Sequence, residues 1–142
     1  MTLEDIVSGL RALKADDFAD GMPDALYELT DAVKALQSPE AAIPDLFLLM
    51  ERLYDCDLGS PGPIVHTLES LDYESELVAS IRRRPTALTV WMVNRSLNSS
   101  LPPERRQFYL DLFAHVLKHP DADDVARDLA NDFIEFQKTR SV

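Results

Sequence analysis

Apolar residues recur along this chain at steps of three and four, the spacing that lines one face of an α-helix. Leu3, Ile6, Val7, Leu10 and Leu13 open the pattern and predict an amphipathic helix over 3–14. An acidic loop, 15–21, follows. Pro23 suits the first turn of a second helix, where its missing N–H costs nothing. Leu26, Leu29, Val33 and Leu36 form the buried stripe of that helix, and Asp24 complements its positive end. Ser38-Pro39 closes it. A third helix runs from Pro44 to about Tyr54, and its run Leu46-Phe47-Leu48-Leu49-Met50 is apolar on several sides, which places it centrally. Residues 57–63, rich in Pro, Gly and Ser, make the clearest break, although seven residues is also an ordinary connection.

Five more helices follow, over about 63–71, 73–83, 85–97, 103–118 and 122–137. In the sixth, Leu88, Trp91, Met92 and Arg95 share a side, with Trp91 assigned to the core. Asn94 and Arg95 lie close to that stripe and need hydrogen-bond partners if buried. The seventh buries the Arg105 stem, Tyr109, Leu112, Phe113 and Val116, and Pro120 stops it. Asp121 and Asp124 read as an acidic cap pair for the eighth, whose Val125, Leu129, Phe133 and Phe136 are assigned inward. No stretch alternates with a period of two. The expectation is an all-α fold of about eight short helices in antiparallel hairpins, either a HEAT-like superhelical stack or a compact bundle. The short, paired helices favour the stack. One domain over 1–142, with a loose tail from about 138, fits the length.

Composition narrows the class. With 46% hydrophobic and 27% charged residues, the chain has enough apolar material for a core. It has one cysteine, acids rather than bases in its first six residues, and no apolar run near the ~18 residues of a membrane span. A cytoplasmic protein without a membrane partner is the expectation. The net charge is −11, unevenly placed: residues 1–60 hold 13 acids and 4 bases, residues 61–142 hold 12 and 10. Such a field repels nucleic acid and favours a basic partner, although acidity also serves plain solubility.

Candidate chemistry is sparse. Asp111, His115 and His119 share one helical stripe, but away from the Tyr109–Val116 core and without a second shell. Cys56 lies between Asp55 and Asp57, and neighbouring acids raise a thiol pKa rather than activate it. The four glycines form no phosphate-cradling motif, and no carboxylate pair sits in an apolar setting. Arg82-Arg83-Arg84 complements a helix C-terminus. The expectation is therefore no enzyme, no catalytic residue, no metal and no cofactor.

Two features remain. Asp16, Asp17, Asp20, Asp24, Glu28 and Asp31 cluster with only Lys34 interleaved, and like charges three or four apart on a helix are mutually unfavourable. The second is the sixth helix. The stretch Asp72-Tyr73-Glu74-Ser75-Glu76-Leu77, the run Arg84-Pro85-Thr86-Ala87-Leu88-Thr89-Val90-Trp91-Met92-Val93-Asn94-Arg95, and Asp132-Phe133-Ile134-Glu135-Phe136-Gln137 together resemble an all-helical family of bacterial polymorphic-toxin immunity proteins, including those of contact-dependent growth inhibition. The resemblance covers about residues 70–137 and departs at Ala87-Leu88, where a more polar pair is expected. It implies a protein that binds the C-terminal domain of a cognate toxin, a basic nuclease by preference, and blocks it without chemistry. Pro85, Thr86, Trp91, Asn94 and Arg95 would then be scaffold. The toxin-facing residues would lie in the divergent acidic half: Asp16, Asp17, Asp20, Asp24, Glu28, Asp31, Asp55 and Asp57, with Tyr27 and Tyr54 as aromatic anchors. The alternative is a helical scaffold or adaptor that takes a peptide or protein in a groove.

Overall fold

Prolines and short polar breaks divide the chain into helices. The computed structural model describes residues 1–140. Among the described residues there is no strand, and the fold is all-α. In chain order the helices are α1 (Leu3–Ala12), α2 (Asp24–Lys34), α3 (Ile43–Arg52), α4 (Gly62–Glu69), α5 (Glu74–Arg83), α6 (Ala87–Leu97), α7 (Pro103–Lys118) and α8 (Asp124–Arg140). Two single turns of 3₁₀ helix, Ala15–Phe18 and Pro39–Ala42, precede α2 and α3. The first lies in the stretch expected to be plain loop. The tail expected from 138 is helical through Arg140, and positions 141 and 142 lie outside the described residues. The chain divides into two compact units, Met1–Glu76 and Leu77–Val142.

The first unit is built on α1, which packs on α2 and α3, while α2 packs on α4. Thr2 starts α1 with a reciprocal cap: the Asp5 N–H donates to Thr2 Oγ1 at 3.2 Å and the Thr2 N–H to Asp5 Oδ2 at 3.0 Å. The bond from the Thr2 backbone, aided by the Thr2 side chain, holds the Asp5 carboxyl below its usual range. Ile6, Leu10, Leu26, Val33, Leu46, Phe47, Met50, Ile64 and Leu68 form the core. α3 is buried on several sides, as its apolar run suggests, but Leu48 points outward and is 45% exposed. Gly9 allows α1 and α2 to approach closely: a Cβ there would meet Leu29 Cδ2 at 2.6 Å.

Arg52, at the end of α3, closes the C-terminus of α1. Its guanidinium donates to the Leu13 carbonyl at 2.6 Å and the Leu10 carbonyl at 3.0 Å. The Leu13 carbonyl lies just past the helix end, and the Leu10 carbonyl otherwise accepts only the Leu13 N–H, at 3.3 Å. Charge-assisted bonds to part-buried acceptors predict that Arg52→Ala lowers unfolding free energy by about 2 kcal/mol in urea titration. A loss below about 0.5 kcal/mol would mean that water replaces the cap fully.

In the second unit α6, α7 and α8 pack against one another, with the α7–α8 pair the most extensive. The α7 stripe is as read from the sequence, with Tyr109, Leu112, Phe113 and Val116 buried. α8 is not. Its buried stripe is Ala126, Ala130 and Gln137, continued ahead of the helix by Ala122, while Val125 and Phe136 are 58% and 45% exposed. Leu129 and Phe133 are half-buried at the flank, where the Phe133 ring lies 6.0 Å from that of Phe113. Small side chains let the α8 backbone sit close to its neighbours, so the alanine stripe is preferred over the bulkier one beside it. The cap also differs from expectation. Asp123, not Asp121, accepts the Ala126 N–H, at 2.8 Å.

α6 is rotated in the same way. Thr89, Val90, Met92, Val93, Asn94 and Leu97 are buried, while Trp91 is half-buried and Arg95 exposed, its guanidinium 5.4 Å from the Trp91 ring centre. Thr86 caps the helix, accepting the Thr89 N–H at 3.2 Å, and Pro85 beside it is buried. Asn94 accepts from Gln137 Nε2 at 2.8 Å and so ties α6 to α8.

Candidate functional site

The two units divide the charge more sharply than the halves of the sequence do. Residues 1–76 hold 17 acids and 4 bases, a net of −13, whereas residues 77–142 hold 8 acids and 10 bases, a net of +2. All of the acidic candidate residues lie in the first unit.

Local folding directs them outward. Phe18 is 8% exposed and pins the Ala15–Phe18 turn to the core. Asp16, Asp17 and Asp20 are left on the surface around it. Asp17 Oδ2 also accepts the Lys14 N–H at 2.8 Å, which fixes the start of the turn. In α2 the stripe Leu26, Leu29, Thr30 and Val33 is buried. Asp24, Tyr27, Glu28 and Asp31 therefore face solvent, with Tyr27 48% exposed. Lys34 sits 3.9 Å from Asp31, but their side chains are 49% and 76% exposed, so solvent screens the pair and it contributes little.

Asp55 and Asp57 are exposed in the connection between α3 and α4. Asp57 Oδ1 accepts the Gly59 N–H at 2.9 Å and shapes a tight turn there. Gly59 has φ +100°, and a Cβ on it would lie 2.3 Å from the Gly62 backbone, so only glycine fits. The Met22 methyl rests against this turn, 3.3 Å from a Cβ at Gly59 and 3.7 Å from one at Gly62. That contact brings the segment between Asp20 and Asp24 beside the segment carrying Asp57. Nothing in the sequence pattern linked the two; Met22, a large apolar residue between Gly21 and Pro23, was the available signal. Tyr54 is half-buried, so of the two expected aromatic anchors Tyr27 is the one presented.

No protein family model matches this chain, and no curated protein or solved structure shows significant similarity to it.

The other candidate groups have local roles. His119 uses both ring nitrogens: Nε2 is 2.9 Å from the Arg82 carbonyl, and Nδ1 accepts the Asp121 N–H at 3.0 Å. Both bonds together require a neutral ring with its proton on Nε2, and no lone pair is left for a metal. His115 packs edge-on to it, with ring centres 5.4 Å apart. Among the described residues no three His, Cys, Asp or Glu side chains group as metal ligands. Cys56 is half-buried, and desolvation raises its thiol pKa first, with Asp55 adding to the effect and Arg52 opposing it. Such a thiol is a poor nucleophile at neutral pH. Among the described residues no helix is long and apolar enough to cross a membrane.

Proposed function

We propose that this chain is an immunity protein, which binds a cognate bacterial toxin domain and blocks it by occlusion, without chemistry of its own. One observation carries the reading: the exposed row Asp16, Asp17, Asp20, Asp24 and Glu28 on a unit of net charge −13. Neighbouring like charges on α2 weaken the isolated helix by a few tenths of a kcal/mol per pair. A basic partner relieves that repulsion and gains an electrostatically steered approach. A nuclease domain offers such a surface, because it must itself hold phosphates. The inhibitor then competes with nucleic acid for the same positive face and acts in the cytoplasm, where the toxin would do its damage. The resemblance in α6 and α8 supports the same reading independently of charge.

Co-expression with the product of the adjacent upstream reading frame tests it. Growth should be rescued and the two proteins should co-purify; absence of both rescue and a complex would refute the proposal.

The adaptor reading draws on a different observation. α7 and α8 enclose an open, mainly apolar groove of about 380 Å³, lined by Gln107, Leu110, Ala114, Ile134, Gln137 and Lys138. The readings separate on substitution: loss of partner capture in Leu110→Asp, with capture intact after neutralising Asp16, Asp17 and Asp20, would favour the adaptor.

A further inference from the structure

The last helix keeps its larger apolar residues out of the core. α8 turns Ala126, Ala130 and Gln137 inward, and it packs on α6 and α7. Val125, Leu129, Phe133 and Phe136, spaced by four, four and three residues, run along the stripe beside them. Val125 and Phe136, at the two ends of this stripe, are 58% and 45% exposed, and Leu129 and Phe133 between them are half-buried. A lone exposed apolar side chain is ordinary; a stripe of four along one helix marks a contact surface.

Charge is sorted along the same helix. Asp121, Asp123, Asp124, Asp128 and Asp132 lie at or just before its start, with Arg127 the one base among them. Lys138 and Arg140 lie at its end, with Glu135 the one acid there. The Arg140 guanidinium stands 5.8 Å from the Phe136 ring centre, at the far end of the stripe. It also donates to Asn98, and its five N–H groups allow a further partner.

A second copy of the chain complements both features at once. Two α8 helices packed antiparallel, with Val125 of one at the level of Phe136 of the other, bring Leu129 to Phe133 across the seam. Arg140 then lies beside the segment one turn ahead of Val125, which holds Asp121. Each acidic start meets a basic end, twice by symmetry, and the opposed helix dipoles add to the attraction. A parallel pair would instead set acidic start beside acidic start. The net charge of −11 does not stand in the way. The unit that carries α8 holds 8 acids and 10 bases, and at about 0.15 M salt charges more than about 8 Å from the seam are largely screened.

We infer that the α8 stripe is a self-association surface, on which a second copy of this chain lays its own α8 antiparallel. The seam is one helix wide and smaller than the roughly 800 Å² per partner of a standard interface, so the dimer is weak.

Sedimentation equilibrium of the full chain, from about 5 to 500 µM, tests the surface. A monomer–dimer equilibrium is expected, with a dissociation constant on the order of 50 µM. Val125→Asp/Phe136→Asp should raise that constant at least about tenfold. Arg140→Asp and Asp121→Arg should each raise it about 3- to 10-fold, because each sets like charges across the seam. The double variant Asp121→Arg/Arg140→Asp restores opposite charges and should return to within about twofold of the parent. All four positions are exposed, so an unchanged circular dichroism spectrum and Tm will show that the variants fold. A chain that stays monomeric, a dimer indifferent to Val125→Asp/Phe136→Asp, or a double charge variant as weak as the singles would overturn the assignment. So would a monomeric chain whose complex with the toxin domain is lost in Val125→Asp/Phe136→Asp, an outcome that gives the stripe to the toxin. Self-association is measured on the chain alone, so its failure leaves rescue by co-expression untouched.

Discussion

Replacing Gln137 by Leu is expected to lower unfolding free energy by about 3 kcal/mol, roughly 8–12 °C in Tm for a chain of this size. Gln137 is fully buried. Its Nε2 donates to Asn94 Oδ1 at 2.8 Å and to Asn98 Oδ1 at 3.1 Å, while its Oε1 accepts from Arg106 Nη2 at 3.0 Å. Arg106 Nη2 also reaches the Gln137 carbonyl at 3.2 Å, and Arg140 bonds Asn98. One amide therefore joins α6, α7 and α8. Leucine fills much the same space but leaves the Asn94 oxygen without its donor and weakens the hold on the Arg106 guanidinium. Removing one partner from a buried polar pair is worse than removing both. The double variant Asn94→Leu/Gln137→Leu should consequently cost less than the sum of the singles, a coupling that a double-mutant cycle measures directly. A Gln137→Leu loss under about 1 kcal/mol would show that water takes over the amide's bonds.

The second large effect concerns association. On the proposed immunity function, neutralising three carboxylates in Asp16→Asn/Asp17→Asn/Asp20→Asn should slow binding to the cognate toxin domain about 10- to 100-fold at low salt, while dissociation changes less. Asparagine keeps an oxygen for the Lys14 N–H and leaves Phe18 in place, so Tm should hold. The gap between variant and parent should close as salt approaches 1 M, where the screening length is about 3 Å. Stopped-flow association rates at several ionic strengths measure this. A rate difference that persists unchanged at high salt would assign the loss to shape rather than charge.

How much of this was legible in the sequence depended on what punctuates each helix. α7 begins at Pro103 and ends at Lys118 where the sequence reading put it, because Pro102-Pro103 and Pro120 bracket it. The faces of α6 and α8 were less readable. Each carries two adjacent apolar stripes, and periodicity favours the one with larger residues. Packing chose the stripe that lets backbones approach, Ala126 and Ala130 in α8 and Thr89 and Val93 in α6. Gln137 escaped notice because an apolar stripe is searched for apolar residues, although an amide in register with Ala126 and Ala130 was a usable signal. The Thr86–Thr89 cap could have been read from its spacing. The acidic candidates were visible from composition alone. What composition could not supply was the contact of Met22 with the Gly59–Gly62 turn, since side-chain reach between loops leaves no periodic trace.

The turn held by Phe18 has a bearing on how the acidic face could change over time. Its aspartates contribute no core packing, and the aromatic ring that orients them contributes no charge. Apart from Asp17, which also caps the turn, shape and surface charge are thus encoded in different residues of the same short segment. On the proposed function, substitutions at Asp16 and Asp20 would redirect the protein to a new partner with little effect on folding. A turn already ordered before encounter also loses little conformational entropy on binding, so a newly acquired contact is not eroded by the ordering that a flexible loop would require.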